Sequence, residues 1–352
     1  MSQDALVLES IGSPLVLRKR PIPTPEDGQV LVRNFSTGLI QLDPKARDRG
    51  LFVQGSLPRV LGFDILGIVV ALGNNVTRFQ VGDRVMGQAD IFHGGPDAGG
   101  LQQYTILQER FSCKVPPGWA DEEACTLPSN LSAAAIAFFS SSGSPLNIMN
   151  DAGGLGLPLP WSKEASSFGF PQKSILIIGA GAATGRFGIQ LARILGFGTI
   201  IAVAGLRNET ELRRMGVTHV LDRHAPDLTQ QIQAIVKGGL LYAFDTSNYD
   251  HSVALEVLSG AGNVACLVAT PPYGIPDEEK PRAKFIMGAS HLHPELMGEF
   301  WERLPSYMSS SDIEPVGYRI VKGLDANAIN AAFDTISSGE EQIKYQVMHA
   351  ES

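Results

Sequence analysis

A short apolar run followed at once by a glycine-rich turn is the feature of this sequence that most constrains its fold. The run covers residues 175–178, and the turn, residues 179–185, reads Gly-Ala-Gly-Ala-Ala-Thr-Gly. Apolar residues then recur at helical spacing up to Gly196, and residues 199–204 are again apolar. This order predicts a βαβ unit whose first turn places a dinucleotide phosphate at a helix N-terminus. The usual three-glycine spacing is loosened by alanines at positions 180 and 182.

Length and composition limit the classes of protein that fit. A chain of 352 residues exceeds the size at which one core stops growing, so we expect two domains. The formal net charge of −8 disfavours a nucleic-acid partner, and no apolar run is long enough for a membrane helix. The N-terminus lacks the pattern of a secretory signal, and the three cysteines are far apart, as in reduced thiols. We therefore expect a soluble, cytoplasmic protein.

The two parts of the chain have different patterns. Up to about residue 110, short alternating segments are punctuated by glycines at 62, 67, 73, 82 and 87, which predicts a bulged β-barrel. From about residue 173, strand and helix patterns alternate, which predicts a parallel sheet. We expect one domain from residues 1–127 and 295–352, and a cofactor-binding domain from residues 128–294. Residues 140–173 form an insertion in the second domain.

Several motifs in order resemble the medium-chain dehydrogenase/reductase superfamily. They are residues 62–85, the Gly-Gly-Leu-Gln-Gln-Tyr segment at 99–104, the Leu-Pro-Ser-Asn-Leu-Ser-Ala-Ala segment at 127–134, and the glycine turn. The resemblance covers nearly the whole chain. It implies an α/β protein with a GroES-like β-barrel domain and a Rossmann doubly wound parallel-sheet domain, acting as an oxidoreductase.

The residues that bind zinc in the zinc alcohol dehydrogenases of this superfamily are missing. Their barrel signature begins Gly-His-Glu with a ligand histidine, whereas this chain has Gly62, Phe63 and Asp64. The upstream ligand cysteine is absent, and three cysteines cannot form the four-cysteine structural site. His291 and His293 have no third ligand nearby in sequence. The resemblance is therefore to zinc-free members, with no metal.

Zinc-free members include quinone oxidoreductases and enoyl reductases, and the resemblance to them implies three catalytic candidates. Residues 40–45, Ile-Gln-Leu-Asp-Pro-Lys, keep the aspartate and lysine of a segment found in those families. In fungal trans-acting enoyl reductases, the residues matching Lys45 and Ser132 approach the nicotinamide and substrate. Asp43 belongs to the same segment as Lys45. The proton donor could be Lys45, Ser132 or water, and a solvated helix turn is the alternative interpretation of residues 36–54.

The cofactor predicted is NADPH. No carboxylate ends the second strand of the βαβ unit, where NAD enzymes bind the ribose, and Arg207 could pair with a 2′-phosphate. The alternative is that Arg207 is a solvated residue at a helix start. The resemblance adds Lys344 as a second candidate. The remaining predicted cofactor ligands lie in the turn and at strand ends: Gly181, Ala182, Ala183, Thr184, Gly185, Asp245 and Ala269.

The insertion at 140–173 is rich in Ser, Gly and Pro and carries Trp161, Phe168 and Phe170. We interpret it as a substrate-side lid, with a linker as the alternative. Together with the resemblance, these features predict a zinc-free, NADPH-dependent reductase of an activated C=C bond in a hydrophobic substrate, and the resemblance alone implies that this substrate is polyketide-like. The resemblance further implies delivery by a polyketide synthase, and the chain is expected to be a monomer or homodimer. A quinone oxidoreductase, and a non-redox isomerase, cyclase or nucleotide-binding partner, are the alternatives.

Overall fold

The chain divides into two compact units. The computed structural model describes residues 1–143, 153–237, 239–248, 251–267, 282–339 and 343–349. The first unit comprises residues 1–129 and 297–352, and the second comprises residues 130–296. Both boundaries lie two residues beyond the predicted ones. Among the described residues, no helix has the length and apolar content needed to cross a bilayer.

The first unit is built mainly from antiparallel strands. Its strands are β1 (Ser2–Leu8), β2 (Val16–Pro21), β3 (Gln29–Leu39), β4 (Arg59–Val60), β5 (Asp64–Leu72), β6 (Arg84–Gln88), β7 (Tyr104–Gln108), β8 (Ser112–Lys114), β15 (Tyr318–Lys322) and β16 (Lys344–Met348). Its helices include α1 (Leu42–Arg49), α2 (Asp121–Ala124) and α10 (Ala326–Ser338). One sheet has the order β2-β1-β4, and the other has the order β15-β16-β3-β5-β6-β8, with β7 also on β3.

A close approach between β3 and β5 explains why position 67, one of the glycines that punctuate the barrel sequence, is glycine. A Cβ at Gly67 would lie 2.0 Å from the carbonyl oxygen of Arg33, so only glycine fits. The register between these strands shifts twice, between Leu31 and Val32 and between Asn34 and Ser36. The expected bulged β structure is therefore present in this unit.

The second unit contains a parallel six-stranded sheet. Its strands are β9 (Ser174–Ile178), β10 (Thr199–Ala204), β11 (His219–Asp222), β12 (Leu240–Asp245), β13 (Leu258–Cys266) and β14 (Ala283–Phe285), in the order β11-β10-β9-β12-β13-β14. Every pair in this sheet is parallel. The strand order reverses between β9 and β12, the position where open α/β sheets bind ligands. The α/β fold class predicted from the sequence is confirmed.

Helices cover both faces of this sheet. The helices of this unit are α3 (Pro128–Phe139), α4 (Lys163–Ser167), α5 (Ala183–Leu195), α6 (Glu209–Arg214), α7 (Leu228–Ile235) and α8 (Ser252–Val257). Helix α9 (Pro294–Ser309) begins at the end of this unit and continues into the first, and α3 also crosses a unit boundary. Leu176 packs in one apolar cluster with Ile232 of α7 and Val257 of α8. On the opposite face, Phe244 meets Phe138 of α3 edge-on, with ring centroids 5.7 Å apart.

The last strand of the sheet lies earlier in the chain than predicted. The apolar run at residues 285–290, Phe-Ile-Met-Gly-Ala-Ser, predicts the sixth strand, whereas β14 ends at Phe285 and residues 290–292 form a short 3-10 helix. The amphipathic pattern of residues 293–308 predicts the helix that follows, which is α9. The strand predicted from the apolar run is too long because the N–H of Ile286 makes the last bond to β13, at 2.9 Å from the carbonyl oxygen of Cys266. Ala289 is buried, but it is not part of a strand.

Residues 153–157, the first described residues of the insertion after its gap, cap the C-terminal end of α3. The backbone N–H of Leu155 donates to Ala137 at 2.7 Å, and that of Leu157 donates to Phe138 at 2.9 Å. The N–H groups of Gly154 and Gly156 both donate to Ser140. These bonds satisfy carbonyl groups at the C-terminal end of α3 that have no partner inside the helix. Residues 153–157 thus end α3, which the sequence did not indicate.

Two aromatic residues of the insertion, Phe168 and Phe170, lie at the amino end of the sheet. Phe170 is 3% exposed and packs edge-on against Phe197, with ring centroids 5.0 Å apart. Phe168 lies 4.6 Å from Phe170 and 6.2 Å from Tyr242. Phe170 precedes β9 and Phe197 precedes β10, so this cluster is opposite the carboxyl edge where ligands bind. These contacts contradict the lid interpretation for Phe168, Phe170 and the capping residues 153–157, and residues 144–152 lie outside the described part of the chain.

The Gly154 contact gives a test of this capping segment. A Cβ at Gly154 would lie 2.2 Å from the carbonyl oxygen of Ala137, whereas a Cβ at Gly260 would meet nothing within 4 Å. We expect Gly154→Ala to lower the free energy of unfolding by about 1–3 kcal/mol, because the segment must move off the helix end. Gly260→Ala is the matched control and should change it far less. Urea unfolding followed by circular dichroism measures both, and equal stability of the two variants would contradict the capping role.

Candidate functional site

The glycine turn follows β9 and depends on close backbone packing. Gly179 has φ +77°, and a Cβ there would lie 2.2 Å from Oγ1 of Thr246. A Cβ at Gly185 would lie 2.4 Å from the carbonyl oxygen of Gly179. A Cβ at Gly181 would lie 2.8 Å from Nδ2 of Asn208. Gly179 and Gly185 are therefore restricted to glycine, whereas a side chain at Gly181 would require only the end of the Asn208 side chain to shift.

The alanines of the turn are compatible with this geometry. Ala182 has φ −80°, an ordinary value for an L-residue, and Ala180 is fully buried. Helix α5 begins at Ala183, and Ala182 supplies no side-chain cap to its first N–H groups. A helix N-terminus without a side-chain cap, approached by a glycine backbone, fits the phosphates of a dinucleotide. The loosened spacing therefore preserves a dinucleotide-type turn.

Helix α3 is tied to the same turn. Nδ2 of Asn130 donates a hydrogen bond of 2.8 Å to Oγ1 of Thr184, the second residue of α5. Two residues along α3, Ser132 is 1% exposed and accepts a 3.2 Å hydrogen bond from the hydroxyl of Ser290. The predicted catalytic serine and the predicted turn threonine are thus held by polar contacts within one unit. The sequence did not indicate Asn130 or Ser290.

Asp245 ends β12 at the carboxyl edge of the sheet, as predicted. It is fully buried, and its carboxylate accepts hydrogen bonds from the backbone of Ser247 at 3.0 Å and of Asn248 at 3.1 Å. The side chains of Asn248, at 3.1 Å, and His251, at 3.0 Å, bond its other oxygen. Its carboxylate therefore orders the loop after β12, and its predicted contact with a cofactor stays a prediction. Ala269 lies outside the described residues.

His251 is a buried ionisable residue that the sequence did not single out. It contacts Asp245 through Nδ1 and also hydrogen-bonds Cys266, and all three residues are fully buried. Burial lowers the pKa of His251, but the bonds to Asp245 and Cys266 outweigh it and raise the pKa to about 10. At neutral pH, His251 is therefore charged and paired with the Asp245 carboxylate.

Arg207 lies where the sequence placed it, after β10. It falls in the short 3-10 helix Leu206–Asn208 and is exposed. A second arginine, Arg186 of α5, lies nearer the turn: its Nε donates to the carbonyl oxygen of Gly181 at 3.0 Å and its Nη2 to Oδ1 of Asn208 at 3.2 Å. The sequence contained this arginine beside the last turn glycine, and the motif gave no reason to select it.

The catalytic candidates Asp43 and Lys45 lie on α1 in the first unit. Asp43 is fully buried and accepts the backbone N–H of Ile40 at 2.7 Å and that of Gly62 at 2.8 Å. Burial raises the pKa of Asp43 to about 7 against these bonds. Lys45 is half-buried, and burial lowers its pKa, with Arg49 adding to the effect. Asp43 thus orders the start of α1, and the catalytic roles predicted for Asp43 and Lys45 stay predictions.

Lys344 forms a buried ion pair with Asp64 in the first unit. Lys344 is 5% exposed, Asp64 is fully buried, and their Nζ and Oδ2 atoms are in contact. The other oxygen of Asp64 accepts the backbone N–H of Ser129 at 2.7 Å, at the start of α3. The predicted contact of Lys344 with a cofactor stays a prediction and would require this pair to open.

The positions that correspond to zinc ligands do not fit a metal. Phe63 is 2% exposed and belongs to the apolar core of the first unit. Across the part of the chain that the structure describes, no three His, Cys, Asp or Glu residues are grouped to hold a metal ion. We therefore derive no step that involves one.

Comparison with known proteins identifies relatives of both units. Residues 26–117 match the family model of the alcohol dehydrogenase GroES-like domain, and residues 183–309 match that of zinc-binding dehydrogenase. The chain is 32% identical over 302 residues to dehydrogenase mokE of Monascus pilosus, covering 84% of this chain and 77% of that protein.

Two further relatives are enoyl reductases by description. Identity is 32% over 245 residues to the enoyl reductase component lovC of lovastatin nonaketide synthase from Aspergillus terreus, covering 69% of this chain and 62% of that protein. The crystal structure of CurK enoyl reductase matches with a TM-score of 0.75 at 19% identity, covering 99% of both chains. At that identity, the structural match shows the shared fold.

The His251–Asp245 pair predicts a pH dependence of stability. Because the pKa of His251 is raised from 6.5 to about 10, its contribution is complete below pH 6.5 and is lost as the pH rises toward 10. We expect the free energy of unfolding to fall over this window by at least about 1 kcal/mol more in the parent chain than in His251→Asn. Asparagine suits the positive φ of 52° at this position. Urea unfolding at pH 6.5 and 9.5 measures the difference, and parallel pH profiles would contradict the charged pair.

Proposed function

This chain belongs to the medium-chain dehydrogenase/reductase superfamily, and from that premise we propose that it is a zinc-independent, NADPH-dependent enoyl reductase. The superfamily predicted from the sequence is confirmed, and with it an oxidoreductase enzyme. The observation that carries the proposal is the similarity to lovC, described as an enoyl reductase component. The substrate would carry an activated C=C bond conjugated to a carbonyl group.

The second unit provides the features of a nucleotide site. The glycine turn and the first N–H groups of α5 would hold the pyrophosphate. Arg207 lies exposed just beyond β10, where a 2′-phosphate is recognised in NADP enzymes. When bound, the nicotinamide supplies a hydride, two electrons and one proton, to the β carbon of the enoyl group. We propose NADPH over NADH because no carboxylate lies at the end of β10 before Glu209.

Lys45 is the proposed proton donor to the α carbon, which completes the reduction of C=C to a single bond. Its lowered pKa makes the ammonium group a better acid than a fully solvated lysine. Ser132, held by Ser290, is the candidate hydrogen-bond donor to the substrate carbonyl, where it would stabilise the developing enolate. Asp43 does not meet substrate in this assignment; it positions α1.

The proposed substrate is hydrophobic and polyketide-like, and a polyketide synthase is the proposed partner that delivers it. This rests on the description of lovC as a component of a nonaketide synthase. The expected apolar lid does not support the choice of substrate, because the described insertion residues pack on α3 and at the amino end of the sheet. A quinone is therefore the natural comparison substrate.

The proposal is tested by nucleotide binding followed by turnover. We expect fluorescence titration to give a lower Kd for NADPH than for NADH. NADPH oxidation should then be faster with an enoyl thioester than with a small quinone of equal concentration. Binding of neither nucleotide would refute the proposed function. Binding with turnover of the quinone alone would refute the enoyl assignment while leaving a reductase.

Replacement of Lys45 separates its chemistry from nucleotide binding. We expect Lys45→Ala to lower kcat with the enoyl thioester by roughly 10²–10⁴-fold, the usual contribution of a positioned proton donor, with little change in the Kd of NADPH. Lys322→Ala is the matched control, because Lys322 is an exposed lysine of the same unit. An unchanged kcat would contradict this role and favour the alternative that Lys45 is a solvated residue of the helix turn.

A further inference from the structure

Arg186 connects the glycine turn to the region beyond β10. Its guanidinium bonds the carbonyl oxygen of Gly181 and the side chain of Asn208, and it forms an ion pair with Glu211 of α6. The side chain of Arg186 is only 12% exposed. Asn208 in turn donates to the carbonyl oxygen of Gly205 at 3.1 Å. The guanidinium therefore has a fixed position between two structural features that flank a bound dinucleotide.

This position corresponds to the place where a Rossmann fold recognises the adenosine ribose. The pyrophosphate binds at the turn, and the ribose hydroxyls or the 2′-phosphate are recognised at the end of the second strand. Gly181 belongs to the turn, and Asn208 follows β10 by a few residues. A side chain that contacts both lies next to both parts of the nucleotide.

The donor capacity of Arg186 exceeds its contacts. A guanidinium carries five N–H donors, and contacts within the described ranges engage three of them: one to Gly181, one to Asn208 and one to Glu211. Two donors can therefore meet phosphate oxygens, and a planar guanidinium suits phosphate better than an ammonium does.

The local charge supports an anionic ligand here. Position 186 and residues 204–214 together carry four arginines and two glutamates, a formal charge of +2. Glu209 is paired with Arg213 at 2.8 Å and Glu211 with Arg186. Arg207, one of these four arginines, is exposed and lies next to Asn208 in sequence.

We propose that Arg186 is a specificity-determining residue that binds the 2′-phosphate of NADPH, and that Glu211 weakens this binding by sharing the same guanidinium. The inference rests on the proposed function and goes beyond it, because it moves the main recognition of NADPH from exposed Arg207 to Arg186 of α5, whose side chain is largely shielded from solvent. Glu211 competes because its carboxylate bonds the guanidinium and repels a phosphate nearby.

A purely structural role would have a different signature. If Arg186 only fastened Gly181 to Asn208, its loss would disturb the turn that holds the pyrophosphate, which NADPH and NADH share. If Arg186 binds the 2′-phosphate, its loss would raise the Kd of NADPH and leave that of NADH unchanged. The ratio of the two affinities therefore separates the two roles, independently of turnover.

The experiment is a set of calorimetric titrations of the purified full chain with NADPH, NADH, 2′,5′-ADP and 5′-AMP. We expect Arg186→Gln to raise the Kd of NADPH and of 2′,5′-ADP by about 10–100-fold, typical of a lost charged hydrogen bond, with NADH and 5′-AMP changed less than about threefold. Arg213→Gln is the matched control, because Arg213 pairs with Glu209 on an exposed surface, and it should leave the NADPH-to-NADH ratio near that of the parent chain. Arg186→Lys, which keeps the charge and loses the fork geometry, should give a smaller loss than Arg186→Gln.

We expect the Glu211→Gln variant to bind NADPH more tightly, the opposite of the effect of Arg186→Gln. Removing the competing carboxylate should lower the Kd of NADPH by about two- to tenfold and leave NADH unchanged. Equal weakening of both nucleotides by Arg186→Gln, at an unaltered Tm, would overturn the specificity role in favour of the structural one. A lower Kd of NADPH for Arg207→Ala than for Arg186→Gln would support Arg186 as the residue that contributes most to binding the 2′-phosphate. Binding of NADH alone by the parent chain would overturn the inference while leaving a nucleotide-dependent enzyme.

Discussion

The close approach of backbone segments in the glycine turn is the constraint on which the nucleotide unit depends. Gly179 and Gly185 bring the end of β9 and the start of α5 together at a distance that a side chain would prevent. Gly179 also lets Thr246, at the end of β12, pack against the turn. Because β9 and β12 are the strands at which the sheet order reverses, the turn opens at the ligand-binding edge.

Buried carboxylates order the loops and helix ends around the candidate sites. Asp43 holds the start of α1, Asp64 holds the start of α3 while pairing with Lys344, and Asp245 orders the loop after β12. Charges without solvent are costly unless they are paired or hydrogen-bonded, and each of these groups has such partners. What the structure shows of these carboxylates is that they order the start of α1, the start of α3 and the loop at the carboxyl edge of the sheet.

Tertiary contacts decided the roles of residues that looked functional from local pattern. The aromatic residues of the insertion resembled a lid because Ser, Gly and Pro surround them, yet Phe170 packs on Phe197 and the glycines cap α3. Conversely, Arg186 and His251 attracted no attention, because a lone arginine or histidine has no local signature. Their partners, Asn208 and Asp245 among them, are brought close only by folding.

The sequence by itself determined the α/β class, the position of the glycine turn and the superfamily, because these depend on local periodicity and on residues that are adjacent in the chain. The resemblance also implied catalytic roles for Lys45 and Ser132, which stay predictions. Only the tertiary structure decided that alanines fit the turn, that Lys344 pairs with Asp64, and that Arg186 lies between the turn and β10. These outcomes depend on contacts between residues far apart in sequence, on burial, and on which charges neutralise each other, none of which a linear pattern records.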